Sequence, residues 1–406
     1  MADNKSLTDL LREHAPYDLL ANEFKDRVFA LNMIDIKKDW KGHGPLRVPF
    51  VEAPASSIAF GGYSTNIAPV EAVKGTVSEP NFMTGSIKFN DIDLQIHKGK
   101  INEGSFLKML PTELERHVRY MKTGLSGNLL NGAVLAKATD DGTAGGVLAV
   151  DRPDRFVIGQ EIQDNADDTW YVIAIDRNAK TVTLSATRGG SAADISSAIV
   201  DGENLYLPGA KASSFTSFAD ILLSATNGGS DTLYGKTKAS YTFLNNAQFD
   251  GGNSDADSIV GDLYDWTTDI ATYHGGAPTK IVMDLGNFAT IMKKVEATKG
   301  GFNIIPESKK TTMYGYHKIQ ILGAGGNVLE FCGVKEMDKD KMYIVDPSTF
   351  KFHTDQLVRR VVSPDGDEYY TERSGTGYTY ISDHVVYGDL VCDNPCGNGA
   401  VHSLSL

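Results

Sequence analysis

The residues best placed to do chemistry in this 406-residue chain are Gly229, Gly235, Lys236 and Thr237, a glycine-rich run ending in the Gly-Lys-Thr that elsewhere wraps a phosphate. A phosphate loop needs four residues between its first glycine and Gly-Lys, and here there are five. TKASYTFL follows, which reads as strand where a helix start is needed to face the anion. GAGG at 323–326 follows a strand pattern, lacks the third glycine of a dinucleotide fingerprint and leads into another strand, so it reads as a hairpin turn. GLSGN at 124–128 misplaces the second glycine of a nucleophile elbow and lies inside a helical pattern. Cys392, Cys396 and His402 are not spaced as a zinc knuckle, and Cys332 is sixty residues away; buried free thiols are the reading. The nine histidines form no H-x3-H or H-E-x2-H pair. NSDADS at 253–258 lacks the glycine and terminal glutamate of a calcium loop, and Ser254 or Asp255 reads as a helix N-cap. No nucleophile, base and orienting residue assemble at a known spacing, so the expectation is a non-enzyme with no cofactor and no metal.

Composition narrows the classes further. The balance of 39 Lys+Arg against 52 Asp+Glu gives a formal charge of −13, which argues against a general polyanion-binding protein and leaves room for a local basic face. The 41 glycines indicate many turns and much β structure. Three cysteines form no disulfide framework and suit synthesis in a reducing cytoplasm. The first twenty residues are charged and carry no secretory signal, and no apolar run approaches the roughly 18 residues of a membrane span.

The elements that would have to position any site fall into distinct stretches. Residues 4–33 read as one or two amphipathic helices, capped by Asp3 or Ser6, with Leu20, Phe24, Val28 and Leu31 at helical spacing. Prolines and glycines then forbid a long helix, and LRVPFV (46–51) and SIKFNDIDLQI (86–96) predict a two-stranded arm with no core of its own. Leu107, Leu110, Leu114, Val118, Met121, Leu125 and Leu129 predict a long helix over 104–137, restarted or kinked at Pro111. Its other face carries Lys108, Arg116, Arg119, Lys122 and Lys137 against Glu113 and Glu115, either a solvated face or one turned to a polyanion. Residues 138–213 read as a small all-β insert with short runs at 156–159, 169–175, 181–185 and 204–209, whose twelve acids outnumber its six bases. Helices near 215–226, 255–273 and 286–298 alternate with a strand at 280–283, and strands at 316–322, 327–332 and 342–346 dominate thereafter. The fold class is α+β.

This order of parts resembles the major capsid proteins of tailed bacteriophages, with their Hong Kong 97-type fold. Several strings are similar to that family as well: VDRPDRFVIGQ (150–160), IDRNAKTVTL (175–184), TLYG (232–235), MDKDKMYIVD (337–346) and YGDLVCDNP (387–395). The resemblance implies an N-terminal arm at 1–40, an extended β-hairpin loop at 41–102 and a long spine helix of a peripheral domain at 103–137. It implies a β-rich insertion domain at 138–213, most of an axial domain at 214–330, and a return to the peripheral domain at 331–406. It further implies self-assembly as hexamers and pentamers into an icosahedral head enclosing double-stranded DNA. Partners would be further copies of the chain, a separate scaffolding protein, a portal, a decoration protein and packaged DNA held without sequence preference, with no membrane. The protein would be made in the bacterial host cytoplasm and reside in the virion, uncleaved, because only some 40 residues precede the loop.

An arm without a core must bury its apolar residues on a neighbour, and Val48, Phe50, Ile58, Phe60, Ile87 and Phe89 are the candidates. Lys108, Arg116, Arg119, Lys122 and Lys137 form the candidate genome-facing surface. Some family members weld subunits through a lysine–asparagine isopeptide bond; Lys74 and Asn394 are the residues it would use, against the simpler reading of Lys74 as a surface lysine. Three rival functions stand beside the capsid, one of them a hydrolase whose triad carries no sequence signature. An encapsulin-type nanocompartment shares the fold and holds enzyme cargo. A β-rich carbohydrate-binding or adhesion protein would need convergent carboxylates and exposed aromatics in one groove.

Overall fold

The computed structural model describes residues 28–40, 44–53, 71–77, 80–90, 103–252, 254–255, 258–298, 303–305, 318–322, 326–361, 370–374 and 377–406. Of the N-terminal helical pattern, the described part is α1 (Phe29–Met33), followed by β1 (Asp35–Lys37). Leu31 and the preceding Val28 are fully buried. Leu20 and Phe24 lie outside the described residues.

The arm is built differently from the sequence expectation. β2 (Leu46–Ala53) pairs antiparallel with β3 (Glu71–Val77), Leu46 opposite Val77. The strand at Glu71–Val77 was not foreseen because Lys74, Gly75 and Thr76 dilute its apolar content, although Gly75 and Val77 alternate inward. β4 (Asn81–Asn90), expected to partner β2, pairs instead with the long C-terminal strand introduced below.

α2 (Glu103–Asn131) is 29 residues long, roughly 44 Å at 1.5 Å per residue, and runs unbroken through Pro111. Val118, Met121, Leu125 and Leu129 form its buried stripe. It stops six residues before the expected Lys137. Gly132 enters the left-handed region at φ +88° and donates its N–H to the Asn128 carbonyl at 2.9 Å, which closes the last turn.

The insert is a closed barrel. β5 (Val134–Lys137), β6 (Val147–Ala149), β7 (Glu161–Gln163), β8 (Thr169–Asp176), β9 (Thr181–Ser185) and β10 (Asn204–Tyr206) are ordered β5-β10-β7-β8-β9-β6. An antiparallel bridge between Ala138 and Val150 joins the two outer strands, so the sheet has no free edge. Leu148, Phe156, Ile162, Val172, Val182, Leu184 and Leu205 fill it. The strand expected at 156–159 is a turn: Gly159 sits at φ +86°, which an extended run does not tolerate, and pairing resumes at Glu161.

α3 (Phe218–Leu222) opens on a capping box in which Ser217 and Asp220 satisfy each other's backbone N–H groups. It is shorter than the expected 215–226 because Leu223 already turns extended. β11 (Thr232–Leu233) and β12 (Lys236–Thr237) form a tight ribbon, and the TKASYTFL read as strand becomes two 3-10 turns. β13 (Ala247–Asp250) leads to α4 (Ile259–Tyr273), ahead of which Asp255 and Ser258 exchange side-chain to backbone hydrogen bonds at 2.8 and 3.0 Å in capping-box fashion. Then come β14 (Lys280–Asp284), α5 (Leu285–Thr298), β15 (Asn303–Ile305), β16 (Lys318–Leu322), β17 (Val328–Val334) and β18 (Met342–Val345). β19 (Phe350–His353), β20 (Val358–Arg360), β21 (Tyr370–Ser374), β22 (Gly377–Cys392) and β23 (Gly399–His402) complete the chain. β16 and β17 pair antiparallel with Leu322 opposite Val328, the hairpin that GAGG predicts.

Seven strands form a mixed sheet ordered β13-β23-β18-β14-β17-β16-β15. One face presents Ile281, Met283, Phe331 and Ile344 to Leu263, Trp266 and Ile270 of α4. The other presents Val282, Tyr343 and Val345 to the main core beneath α2. The 16-residue β22 anchors a second sheet: β4 lies along one edge, and β20 and β21 pair with the other.

A buried charged cluster locks the barrel to this body. Arg152 and Arg155 are each 5% exposed. Arg155 donates to the Leu135 carbonyl at 2.8 Å, the Glu336 carbonyl at 2.6 Å and the Asp338 carboxylate at 2.7 Å. Arg152 donates to the carbonyls of Lys335 and Met337, to Asp154 at 3.2 Å and to Asp284 at 3.5 Å. Asn131, the last residue of α2, donates to the Glu336 carbonyl at 2.7 Å and accepts from the Asp338 N–H at 3.0 Å. Burial acts to raise the Asp338 carboxyl, but Arg155 and Lys341 outweigh it and hold the group below its ordinary range. Replacing Arg155 by alanine removes its donor from the Leu135 carbonyl and leaves Asp338 with Lys341 as its cation, 3.1 Å away, so a loss of about 3 kcal/mol is expected in urea unfolding at pH 7. Because the Asp338 pKa is depressed, its share of that stability is present above the unfolded value of about 3.9 and lost as pH falls through the folded one. The Arg155→Ala deficit should therefore shrink in acid, and an equal deficit at pH 7 and pH 3 would refute the pairing.

Candidate functional site

The arm meets the body at an aromatic seat. Along β2 and β3, Val48, Phe50, Gly75 and Val77 point inward while Arg47, Pro49, Lys74 and Thr76 are exposed. The Phe50 ring stacks on Tyr234 with centroids 5.7 Å apart and on Phe243 at 5.0 Å. Gly75 makes this approach possible: a Cβ there would lie 2.9 Å from both the Phe50 ring and the Tyr234 Cβ. Tyr234 holds the unusual φ of +51°, its carbonyl accepts from the Thr76 N–H at 2.9 Å, and its hydroxyl accepts from the Cys392 N–H at 2.7 Å. Burial pushes its phenol far above the ordinary value. The TLYG string thus ties the arm to the end of β22.

The structure redistributes the sequence-predicted residues. Val48, Phe50 and Ile87 were expected to await a neighbour but are 5, 4 and 9% exposed, and the chain's own core already covers them. For Val48 and Phe50 the physical reason is the seat, whose aromatics are not visible in sequence as an arm partner, and for Ile87 it is the pairing of β4 with β22. Ile58 and Phe60 lie outside the described residues, as do the side chains of Phe89, Lys108 and Arg116. On α2, Arg119 is exposed, but Lys122 is buried at 7% and does not belong to an open basic face. Lys137 is exposed on β5 of the barrel, with its backbone N–H on Asp151 at 2.8 Å. Lys74 is exposed in the paired part of β3, opposite Pro49, rather than at the tip. Asn394 is exposed at the start of a 3-10 turn, where its side-chain oxygen accepts from the Cys396 thiol at 3.1 Å. The cysteines are free thiols, and burial pushes Cys392 up to about 12.

Sequence reasoning passed over the apolar side chains that remain uncovered. Phe82 on β4 is 59% exposed and Ile158 on the barrel turn is 67% exposed. Phe82 lines an open groove of about 560 Å³ between β4, α2 and the barrel, together with His117, Tyr120, Tyr171, Leu207 and Gly159, the residue after Ile158. The Ile158 turn is rigid, since Gln160 returns its N–H to the Val157 carbonyl at 3.0 Å and its side chain accepts from the Val157 N–H at 2.8 Å. Among the described residues no three His, Cys, Asp or Glu side chains converge as metal ligands, and no helix is long and apolar enough to cross a membrane.

No protein-family model and no curated protein matches the chain. Among solved structures it is similar to the cyanophage A-1(L) capsid asymmetric unit, at 10% identity and a TM-score of 0.51, over 100% of this chain and 96% of that one. It is also similar to a structure from Mycobacterium phage Adephagia, at 10% identity and a TM-score of 0.43, over 92% and 89% of the two chains. A virus-like particle from Pyrococcus furiosus gives 9% identity and a TM-score of 0.38, over 96% and 100%. The cyanophage likeness covers the whole length of this chain, and with it the chain has the α+β Hong Kong 97-type fold of tailed-phage major capsid proteins.

Proposed function

We propose that the protein is a major capsid protein whose copies assemble as hexamers and pentamers into a closed icosahedral shell around double-stranded DNA, and so reside in the virion. The whole-length likeness to a cyanophage capsid chain is the observation that carries this reading. A separate scaffolding protein and a portal would act during assembly in the host cytoplasm, and a decoration protein would meet the barrel. Neighbour contacts fall to the apolar side chains that the protomer leaves uncovered, Phe82 and Ile158 first, and, as the resemblance to capsid chains implies, to arm residues 54–70. Arg119, the exposed basic residue among the described side chains of α2, serves as a non-specific contact to the packaged polymer. No catalytic role is assigned.

Sedimentation and negative-stain microscopy of the purified chain, with and without its scaffold, should show capsomer rings or uniform shells. A monomer under every condition would overturn the proposal, and particles isolated from cells that hold enzyme cargo in place of nucleic acid would make the shell a nanocompartment. Deleting 41–102 would strip β4 from β22, so the informative variant replaces 54–70 by a two-residue Asn-Gly turn that closes β2 and β3 where Ala53 and Glu71 pair. That variant should keep the unfolding midpoint of the parent yet fail to close shells.

Phe82→Ser and Ile158→Ser exchange exposed groups, so each should alter stability by less than about 0.5 kcal/mol. Together they should lower the yield of assembled particles at least tenfold. Full assembly by the double variant would remove these two residues from the interface.

A further inference from the structure

The GLSGN string at 124–128 lays Gly124, Gly127 and Asn128 on one face of α2, three and four residues apart. A Cβ at Gly127 would meet nothing within 4 Å. Where this bare face meets the barrel lies a cavity of about 20 Å³, lined also by Tyr120, Leu135, Arg155, Gln160 and Leu207. It shares Tyr120, Gly124 and Gln160 with the open groove beside β4, so a small solute can reach it from the surface. Two buried donors border it without an acceptor among the described residues. Arg155 uses Nη1 and Nη2 on the Leu135 and Glu336 carbonyls and on Asp338, while its Nε–H has no partner there. Gln160 is 6% exposed, and its side-chain oxygen accepts from the Val157 N–H at 2.8 Å. A backbone amide can only donate, so this contact fixes which end of the Gln160 amide is oxygen and leaves Nε2 as the unmatched donor. From this donor set we propose a binding site for one small monovalent anion of the chloride class, held between Arg155 Nε and Gln160 Nε2 where the barrel meets α2. The inference concerns the single chain and holds whether or not copies form a shell.

The chemistry of the lining selects the ligand. A buried N–H without an acceptor is costly, the more so when it belongs to a charged group. Asn128 gives its oxygen to the Phe215 N–H at 3.2 Å, so it too can turn only N–H towards the cavity. Tyr120 remains a neutral O–H donor, because burial pushes its phenol above the ordinary value. No Asp or Glu is among the described residues that line the cavity. Asp338 occupies the far edge of the Arg155 guanidinium and is shared with Lys341 at 3.1 Å, so Arg155 keeps a positive potential on the cavity side. The volume exceeds the roughly 10–15 Å³ that one water-sized particle requires. A water would have to donate twice in return for the two N–H groups it accepts, whereas Arg155, Gln160 and Asn128 offer it donors alone; a halide accepts from all three and needs no acceptor. Bound there, the ion bridges Arg155 and Gln160 of the barrel to Asn128 of α2, and by mass action its concentration sets how tightly that junction is closed.

Hydrogen–deuterium exchange on the full chain, with sodium gluconate replaced by sodium chloride at a constant total of about 0.3 M, reads occupancy without altering ionic strength. In the parent, protection of amides 157–163 should rise about fourfold, as mass action gives for a dissociation constant of about 0.1 M, while amides 73–77 of the arm seat hold steady. Bromide should act as chloride does. Gln160→Glu keeps an acceptor for the Val157 N–H and sets an internal carboxylate in the place of the ion. Gly127→Leu fills the cavity from α2. Each variant should abolish the gain. No gain in the parent, or a gain retained in either folded variant, gives the cavity to water and overturns the anion site. An equal gain at 73–77 marks a general salt effect and overturns it as well. If one variant does not fold the other decides, and if neither folds the parent decides alone, by a gain at 157–163 that bromide reproduces or by its absence.

Discussion

A closed barrel cannot extend another sheet, because closure leaves no strand edge to pair. Whatever holds such a unit to the rest of a chain must come from side chains and turns, and here it comes from two guanidinium groups that have lost their water. Arg152 and Arg155 find acceptors in the β17–β18 turn, which is bonded in turn to the last residue of α2 through Asn131. Arg152 also reaches Asp284, whose other oxygen accepts from the Gly286 N–H at the start of α5 at 2.7 Å. Helix end, helix start, turn and barrel are thereby fixed at one point. A guanidinium suits this task because its rigid fork addresses several acceptors at once and its charge cannot be discharged by burial.

The arm is held by a different physical principle. Its seat is aromatic and apolar, with Phe50 between Tyr234 and Phe243, and its polarity is confined to two backbone-directed hydrogen bonds around Tyr234. A positive φ at a non-glycine residue costs free energy, and Tyr234 keeps it because ring stacking and both hydrogen bonds depend on that backbone angle. The barrel is thus oriented by directional, charged contacts and the arm by stacking that tolerates small rotations. In the proposed shell this division lets arms adjust to unequal neighbours while each insert keeps its attitude to its own body.

The sequence made the long helix, the all-β character of the insert and the α4, β14 and α5 succession legible, since each rests on a periodicity within one segment. It misplaced the partner of β2, because strand pairing is decided by residues far apart, and Lys74, Gly75 and Thr76 hide β3 from an apolar count. The helix was carried past its end to Lys137 although Asn131-Gly132 is a stop signal, because apolar residues continue in phase into β5. Val48 and Phe50 are misassigned for a deeper reason. Alternation along Val48 and Phe50 shows that one face is buried, but not whether the cover comes from the same chain or another. The strings DRPDR and MDKDK carry no local signal of a shared role, and only the fold brings them together as the two halves of one clamp.

Charge behaves the same way: exposure, not count, determines what a partner would meet. Of the six basic residues in 138–213, the two arginines of the clamp are buried, while nine of the twelve acids there are exposed. The surface of the barrel is accordingly more acidic than its composition, and repels a polyanion more strongly than a simple tally implies. On α2 the opposite correction applies, since Lys122 is buried and Lys137 belongs to the barrel, which leaves Arg119 as the exposed basic residue among the described side chains there. Any preference of DNA for one side of the proposed shell is then set chiefly by repulsion from the barrel face, and only secondarily by attraction to the helix.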